Sequence, residues 1–147
     1  GPYKNSHYDV TPSIGRVLDL ADAERVAVCN NLGVDATPCK DMLTEYYGAK
    51  GSNIYETLMD CYSYKIQTSP NSLKFRYVTE DVPYGMVLIA SLGKLVGVPT
   101  PVINTMIKLA TYLNDEDYWK IGRKVDKLGI SGLTKKEIVE FVTNGNI

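Results

Sequence analysis

The side chains of this chain that can do chemistry are few and scattered. His7 is the only histidine, and Cys29, Cys39 and Cys61 lie ten and twenty-two residues apart. No two cysteines have the C-x-x-C spacing, and one histidine with dispersed thiols cannot build a metal site. No serine–histidine–aspartate set is available for acyl transfer. Neither G-x-G-x-x-G after a strand nor G-x-x-x-x-G-K-[ST] occurs, so no sequence signature for binding a dinucleotide or a nucleotide phosphate is present. The thiols read as small buried apolar residues in a reducing, cytoplasmic setting.

The residues with most chemical capacity stand together in Arg76-Tyr77-Val78-Thr79-Glu80-Asp81-Val82-Pro83-Tyr84-Gly85. A guanidinium can grip a planar carboxylate through two parallel charge-assisted hydrogen bonds. An aspartate can fix the tautomer of a histidine, or it can accept hydrogen bonds from the first turn of a helix. On the residues alone the second role suits Asp81, which precedes Pro83 and an apolar run, and such a cap is worth about 1 kcal/mol. Arg76 stands four residues before Glu80, the spacing of an exposed helical ion pair. A residue at a helix start is also well placed to face a cleft, so the structural and chemical roles are compatible.

The elements that must position this stretch are helical. Thr11-Pro12 sets a hydroxyl cap ahead of a proline in the first turn. Ile14, Val17, Leu18, Ala21, Val28 and Leu32 follow at helical spacing up to Gly33, with Asp19, Asp22 and Arg25 off the apolar stripe. Thr37-Pro38 repeats the start signal, and that helix ends at Gly48. Ser52 is expected to cap a short helix through Leu58 and Met59. Residues 62–75, with the turn cluster Ser69-Pro70-Asn71-Ser72, read as irregular. The run from Met86 to Val96 is apolar on nearly every side, the mark of a buried central helix. Gly97-Val98-Pro99 breaks it and Thr100-Pro101 starts another, carrying Ile103, Met106, Ile107, Ala110 and Leu113. A further helix is expected over about 115–128, and Thr134 with Glu137 forms a capping box for a last one. No segment reads as a strand.

With 147 residues and a net charge of −1, the chain fits one helical domain over residues 11–147. Residues 1–10 read as a polar, mobile lead-in whose first two residues, Gly1-Pro2, have the look of a cleaved-tag scar. The balanced charge argues against nucleic acid or an anionic membrane as the main partner. No apolar run is long enough to span a bilayer. Taken by themselves, the residues support a soluble all-α domain.

The stretch RYVTEDVPYG at residues 76–85, continued by IASLGKLVGVPTPVI at 89–103, closely resembles the C-terminal signature of the NAD(P)-dependent octopine/nopaline (opine) dehydrogenases. TPSIGRVLDLADAERVAV at 11–28 and GRKVDKLGISGLTKKEIVEFV at 122–142 resemble the start and end of the same domain. The resemblance implies an all-α fold, a compact bundle of about seven helices similar to the C-terminal domain of 6-phosphogluconate dehydrogenase, with no Rossmann domain in this chain. It also implies an enzyme that condenses an amino acid with an α-keto acid and reduces the imine with NADH or NADPH. In the family, a Rossmann domain on the N-terminal side holds the cofactor, and the isolated helical part is expected to be inactive.

By the same resemblance, Arg76 matches the arginine that holds the keto-acid carboxylate. Asp81 matches the aspartate that pairs with the catalytic histidine. Tyr62, Tyr64 and Tyr77 read either as packing of loops onto the helices or as substrate-binding side chains that shape the amino-acid pocket. The family's histidine belongs to an N-P-x-x-H-P-like stretch that does not occur in these residues, and His7 lacks that context. A homodimer is compatible with the apolar central helices. The competing reading is a non-catalytic helical module for dimerisation or small-molecule binding.

Overall fold

The computed structural model describes residues 10–145. Among these residues the chain is wholly helical and contains no strand. In order it forms α1 (Pro12–Asn31), α2 (Cys39–Tyr47), α3 (Ile54–Asp60), α4 (Tyr62–Lys65) and α5 (Arg76–Thr79). A π-helical turn (Val82–Met86) then leads into α6 (Val87–Val96), followed by α7 (Pro101–Asn114), α8 (Tyr118–Ile121) and α9 (Lys135–Asn144). Among the described residues the bundle holds two single turns, α4 and α5, that the expectation of about seven helices did not separate.

The starts and stops follow local chemistry. The Thr11 hydroxyl accepts the Ile14 N–H and Pro12 occupies the first turn of α1. Gly48 and Gly97 end α2 and α6 in the left-handed conformation, at φ 68° and 75°. The Thr134–Glu137 capping box forms as expected, with both reciprocal bonds made. At α3 the expectation fails by one residue. Asn53 is the cap, its side chain accepting the Glu56 N–H at 2.9 Å, while Ser52 donates its own N–H to the Glu56 carboxylate.

Helix α1 organises the rest through its acidic residues. Asp19 accepts the Ile54 N–H at 3.0 Å, and Asp22 accepts the Cys39 N–H at 2.7 Å. Glu24 takes the N–H groups of both Val102 and Ile103, at 2.8 and 2.9 Å. These carboxylates satisfy orphan donors at the starts of α3, α2 and α7 and lie against the positive ends of those helices. Thr37 and Thr100, read from sequence as the caps of α2 and α7, make no side-chain cap bond. Arg25 completes the joint, bonding Asp22 and the Thr37 carbonyl, at 2.8 and 2.7 Å. Where α1 crosses α3, Gly15 is required: a Cβ there would lie 2.5 Å from the Tyr55 Cβ.

The core is built from Val82, Val87, Ala90, Ile103, Ile107, Ala110 and Tyr118, with Ala21, Val78, Met86, Ile89 and Trp119 packed around it. It therefore sits where the π turn and α6 meet α7 and α8. Trp119 is half-buried and packs against this core. The helix expected over 115–128 shrinks to the single turn α8. Asp115 closes α7 at φ 51°, and Gly122 leaves α8 in extended backbone at ψ 162°. The next N–H, from Arg123, goes to the Pro83 carbonyl at 2.8 Å, docking residues 122–123 onto the π turn rather than extending α8.

Candidate functional site

The stretch Arg76–Gly85 forms a nearly continuous helical run whose shape is set by Pro83. Phe75, in extended backbone, opens α5 by accepting the N–H groups of Val78 and Thr79. Arg76 O then accepts from Glu80 at 2.8 Å, and Glu80 O from Tyr84 at 3.0 Å. Pro83 has no N–H to offer the preceding turn, and its ring crowds that turn's carbonyl. The helix responds by widening: Val87 N–H bonds Val82 O, five residues back. Single π turns of this kind concentrate at functional sites.

Widening frees the Pro83 carbonyl, and the Arg123 N–H satisfies it. This docking demands glycine at 122, because a Cβ there would lie 2.6 Å from Tyr118 O, 2.7 Å from the Val87 side chain and 2.8 Å from Pro83 O. The Arg123 guanidinium consequently sits 5.6 Å from the centre of the Tyr84 ring, in cation–π range.

Val78, Val82 and Pro83 face inward, whereas Arg76, Tyr77, Glu80, Asp81 and Tyr84 are exposed. Arg76 pairs with Glu80 at 3.4 Å, with 65% and 55% of the two side chains accessible. Asp81 does not cap a helix. It has helical backbone angles, φ −68° and ψ −32°, inside the run, and it makes no cap bond. Its carboxylate has no hydrogen-bonding or ionic partner among the described residues. The expectation that Asp81 starts the apolar helix fails because that run begins earlier, at Phe75.

Tyr77 stacks edge-on against Phe75, ring centres 4.9 Å apart. Both line a surface groove of about 440 Å³ with Pro70, Asn71, Leu73 and Val78. Arg76 and Asp81 are not among the groove's lining residues, so the structure places the three sequence-derived candidates on one exposed segment but in two settings. Tyr62 is exposed; Tyr64 packs edge-on to Tyr47 at 6.3 Å. Burial, then the neighbouring Tyr47, Cys39, Cys61 and Tyr77, push the Tyr64 hydroxyl up from its ordinary range. His7 lies outside the described residues, as does the lead-in up to residue 9.

Sequence reasoning did not single out Tyr84 or Arg123. The only signal was Pro83 inside an apolar helical pattern, which announces a distortion but not what docks on it. The described residues form no strand and so no strand–turn–helix cradle for a pyrophosphate. They do not by themselves fit a nicotinamide dinucleotide. They also contain no cluster of three or more histidine, cysteine or acidic side chains placed to hold a metal. No helix among them is long and apolar enough to cross a membrane.

Residues 1–114 match the family described as NAD/NADP octopine/nopaline dehydrogenase, alpha-helical domain. The chain is 36% identical over 133 residues to an opine dehydrogenase of Arthrobacter sp. (strain 1C), covering 90% of this chain and 37% of that protein. It is 29% identical over 137 residues to vitopine synthase of Allorhizobium ampelinum, covering 93% and 38%. The chain thus spans little more than a third of the length of these relatives. Octopine dehydrogenase solved with NADH and L-arginine superimposes with a TM-score of 0.79 at 17% identity, over all of this chain and 42% of that one. The same enzyme with NADH and agmatine gives 0.78 at 18% identity, again over all of this chain and 42% of that one.

Proposed function

The chain belongs to the octopine/nopaline dehydrogenase family as its alpha-helical domain, and on that premise we propose that it is the substrate-holding part of an opine dehydrogenase. The whole enzyme would join the amino group of an amino acid to an α-keto acid and reduce the resulting imine with NADH or NADPH. The cofactor would be held by a Rossmann domain elsewhere in the same protein, a division supported by the greater length of the relatives. The octopine dehydrogenase structures hold NADH with L-arginine, agmatine or pyruvate. A short keto acid such as pyruvate is therefore the first substrate to offer. The free thiols of Cys29, Cys39 and Cys61 suit a reducing cytoplasm.

The observation that carries this reading is the state of the two charged side chains. Among the described residues Arg76 is tied only to Glu80, in an exposed pair of the kind worth about 0–1 kcal/mol. A substrate carboxylate can displace that partner and take both guanidinium donors. Held so, the keto carbonyl is oriented for attack by the amine and then for reduction, and orientation of this kind is worth several kcal/mol of barrier. Asp81, solvent-facing and without a partner among the described residues, can accept the ring N–H of a histidine supplied by another part of the protein. It would then fix the tautomer and stabilise the imidazolium that proton transfer creates.

Full-length protein tests the reaction class. NAD(P)H should be consumed only when an amino acid and an α-keto acid are both present. Consumption with the keto acid alone would identify a simple keto-acid reductase and overturn the condensation.

A further inference from the structure

An opine carries two carboxylates on one secondary amine, one from each substrate. Arg76 accounts for one of them. The described face offers a second guanidinium in Arg123, in residues beyond those matched to the family. Its position is fixed from three directions. Its N–H is bound to Pro83 O at 2.8 Å, Gly122 is pressed against the π turn, and its guanidinium lies over the Tyr84 ring. Its side chain makes no ion pair among the described residues.

Arg76, Glu80 and Tyr84 follow one another at intervals of four along the helical run, and neighbours at that spacing lie side by side on one face. Arg76 leans along that ridge toward Glu80, at 3.4 Å. Arg123 covers its other end at Tyr84, which is 49% exposed. Eight residues of helix rise only about 12 Å, a span two long arginine side chains can close from its ends. Asp81, one residue after Glu80 and three before Tyr84, borders the same ridge. A dicarboxylate laid along it meets a guanidinium at each end, with its nitrogen near the carboxylates of Glu80 and Asp81.

We propose that Arg123 is the second carboxylate-binding residue of the substrate surface, holding the amino-acid carboxylate while Arg76 holds that of the keto acid. The Tyr84 ring, 5.6 Å away, holds the cation without neutralising it, and a guanidinium that meets a ring through its plane keeps its N–H donors for bidentate binding. This assignment rests on the reading of the Arg76–Asp81 strip as the substrate surface, and the test separates the two.

The probes are iminodiacetate, the smallest secondary-amine dicarboxylate, and N-methylglycine, which has one carboxylate. Both are titrated calorimetrically into the full-length protein carrying its oxidised nicotinamide cofactor. The unaltered protein should bind iminodiacetate at least tenfold more tightly than N-methylglycine. Arg123→Gln should abolish that preference, because either probe then has only one guanidinium, that of Arg76, to engage. Arg123→Lys should restore part of the preference, since it returns the charge without the planar fork. Arg123→Gln retaining the full preference, or weakening both probes equally, overturns the assignment, as does an unaltered protein with no preference. Arg76→Ala serves as the control: if it leaves both affinities unchanged, the substrate-surface reading itself falls. If it weakens iminodiacetate while Arg123→Gln does nothing, only the role of Arg123 falls. The backbone N–H of residue 123 persists in both variants, so its bond to Pro83 O remains available.

Discussion

Two acidic regions of this molecule use the same side-chain chemistry for opposite ends. On α1, Asp19, Asp22 and Glu24 are each bound to backbone N–H groups of another helix. On the run from Arg76 to Tyr84, Asp81 has no partner among the described residues and Glu80 has only a long, exposed contact to Arg76. The first set is committed to the fold, and the second remains available to a ligand or to another part of the protein. What distinguishes them is whether a helix N-terminus lies within reach: α1 crosses the starts of α2, α3 and α7, whereas Asp81 sits inside a helical run and makes no cap bond.

Mutation should affect the two regions in opposite ways. Asp81→Asn in the full-length enzyme should lower turnover by about a hundredfold or more, the scale of lost acid–base assistance. Its thermal stability should stay within about 0.5 kcal/mol of the parent, as for a surface substitution. Steady-state kinetics and a melting curve on the same sample check both halves. Loss of stability comparable to the loss of activity would place Asp81 with the structural acids.

Glu24→Ala should do the reverse. It strips the acceptor from two N–H groups at the start of α7, and hydrogen bonds to a charged group are worth about 1.5–3 kcal/mol each. We expect a destabilisation of about 3 kcal/mol in urea denaturation. An unchanged midpoint would mean that water replaces the carboxylate without cost.

The smallest effect is expected at α9, whose start is capped locally. Thr134→Ala should cost about 1 kcal/mol. Hydrogen bonds from the Thr134 hydroxyl and then its backbone N–H hold the Glu137 carboxyl below the ordinary glutamate range. A folded-state value that is depressed contributes stability above the unfolded value and loses it as pH falls through the folded one. Acid should therefore fray α9 below the ordinary glutamate range in the parent. Thr134→Ala should remove most of that dependence. Helicity followed by amide exchange across α9 checks the sign.

Much of the scaffold was legible because its signals are local. Thr11-Pro12, Gly48, Gly97 and the Thr134–Glu137 box each act within one turn, and each works as read. What escaped was interaction at long range in sequence. Asp19, Asp22 and Glu24 cap helices 17 to 79 residues away, and no periodicity reveals that. The docking of Gly122-Arg123 on Pro83 was hidden for the same reason, and it replaced an expected helix with a single turn. Within the candidate site, the exposed Arg76–Glu80 pair was visible in the spacing. The cap assigned to Asp81 was not realised, because the helical run starts at Phe75, upstream of it.

Substrate binding on this surface depends most directly on Arg76. Steady-state kinetics of full-length Arg76→Ala, with pyruvate as the varied keto acid and the amino acid and NAD(P)H saturating, measure its role. The predicted result is a rise of at least tenfold in the Michaelis constant for pyruvate, with that for the nicotinamide cofactor unchanged. Unaltered turnover and an unaltered constant for pyruvate would contradict the assignment of this surface to substrate.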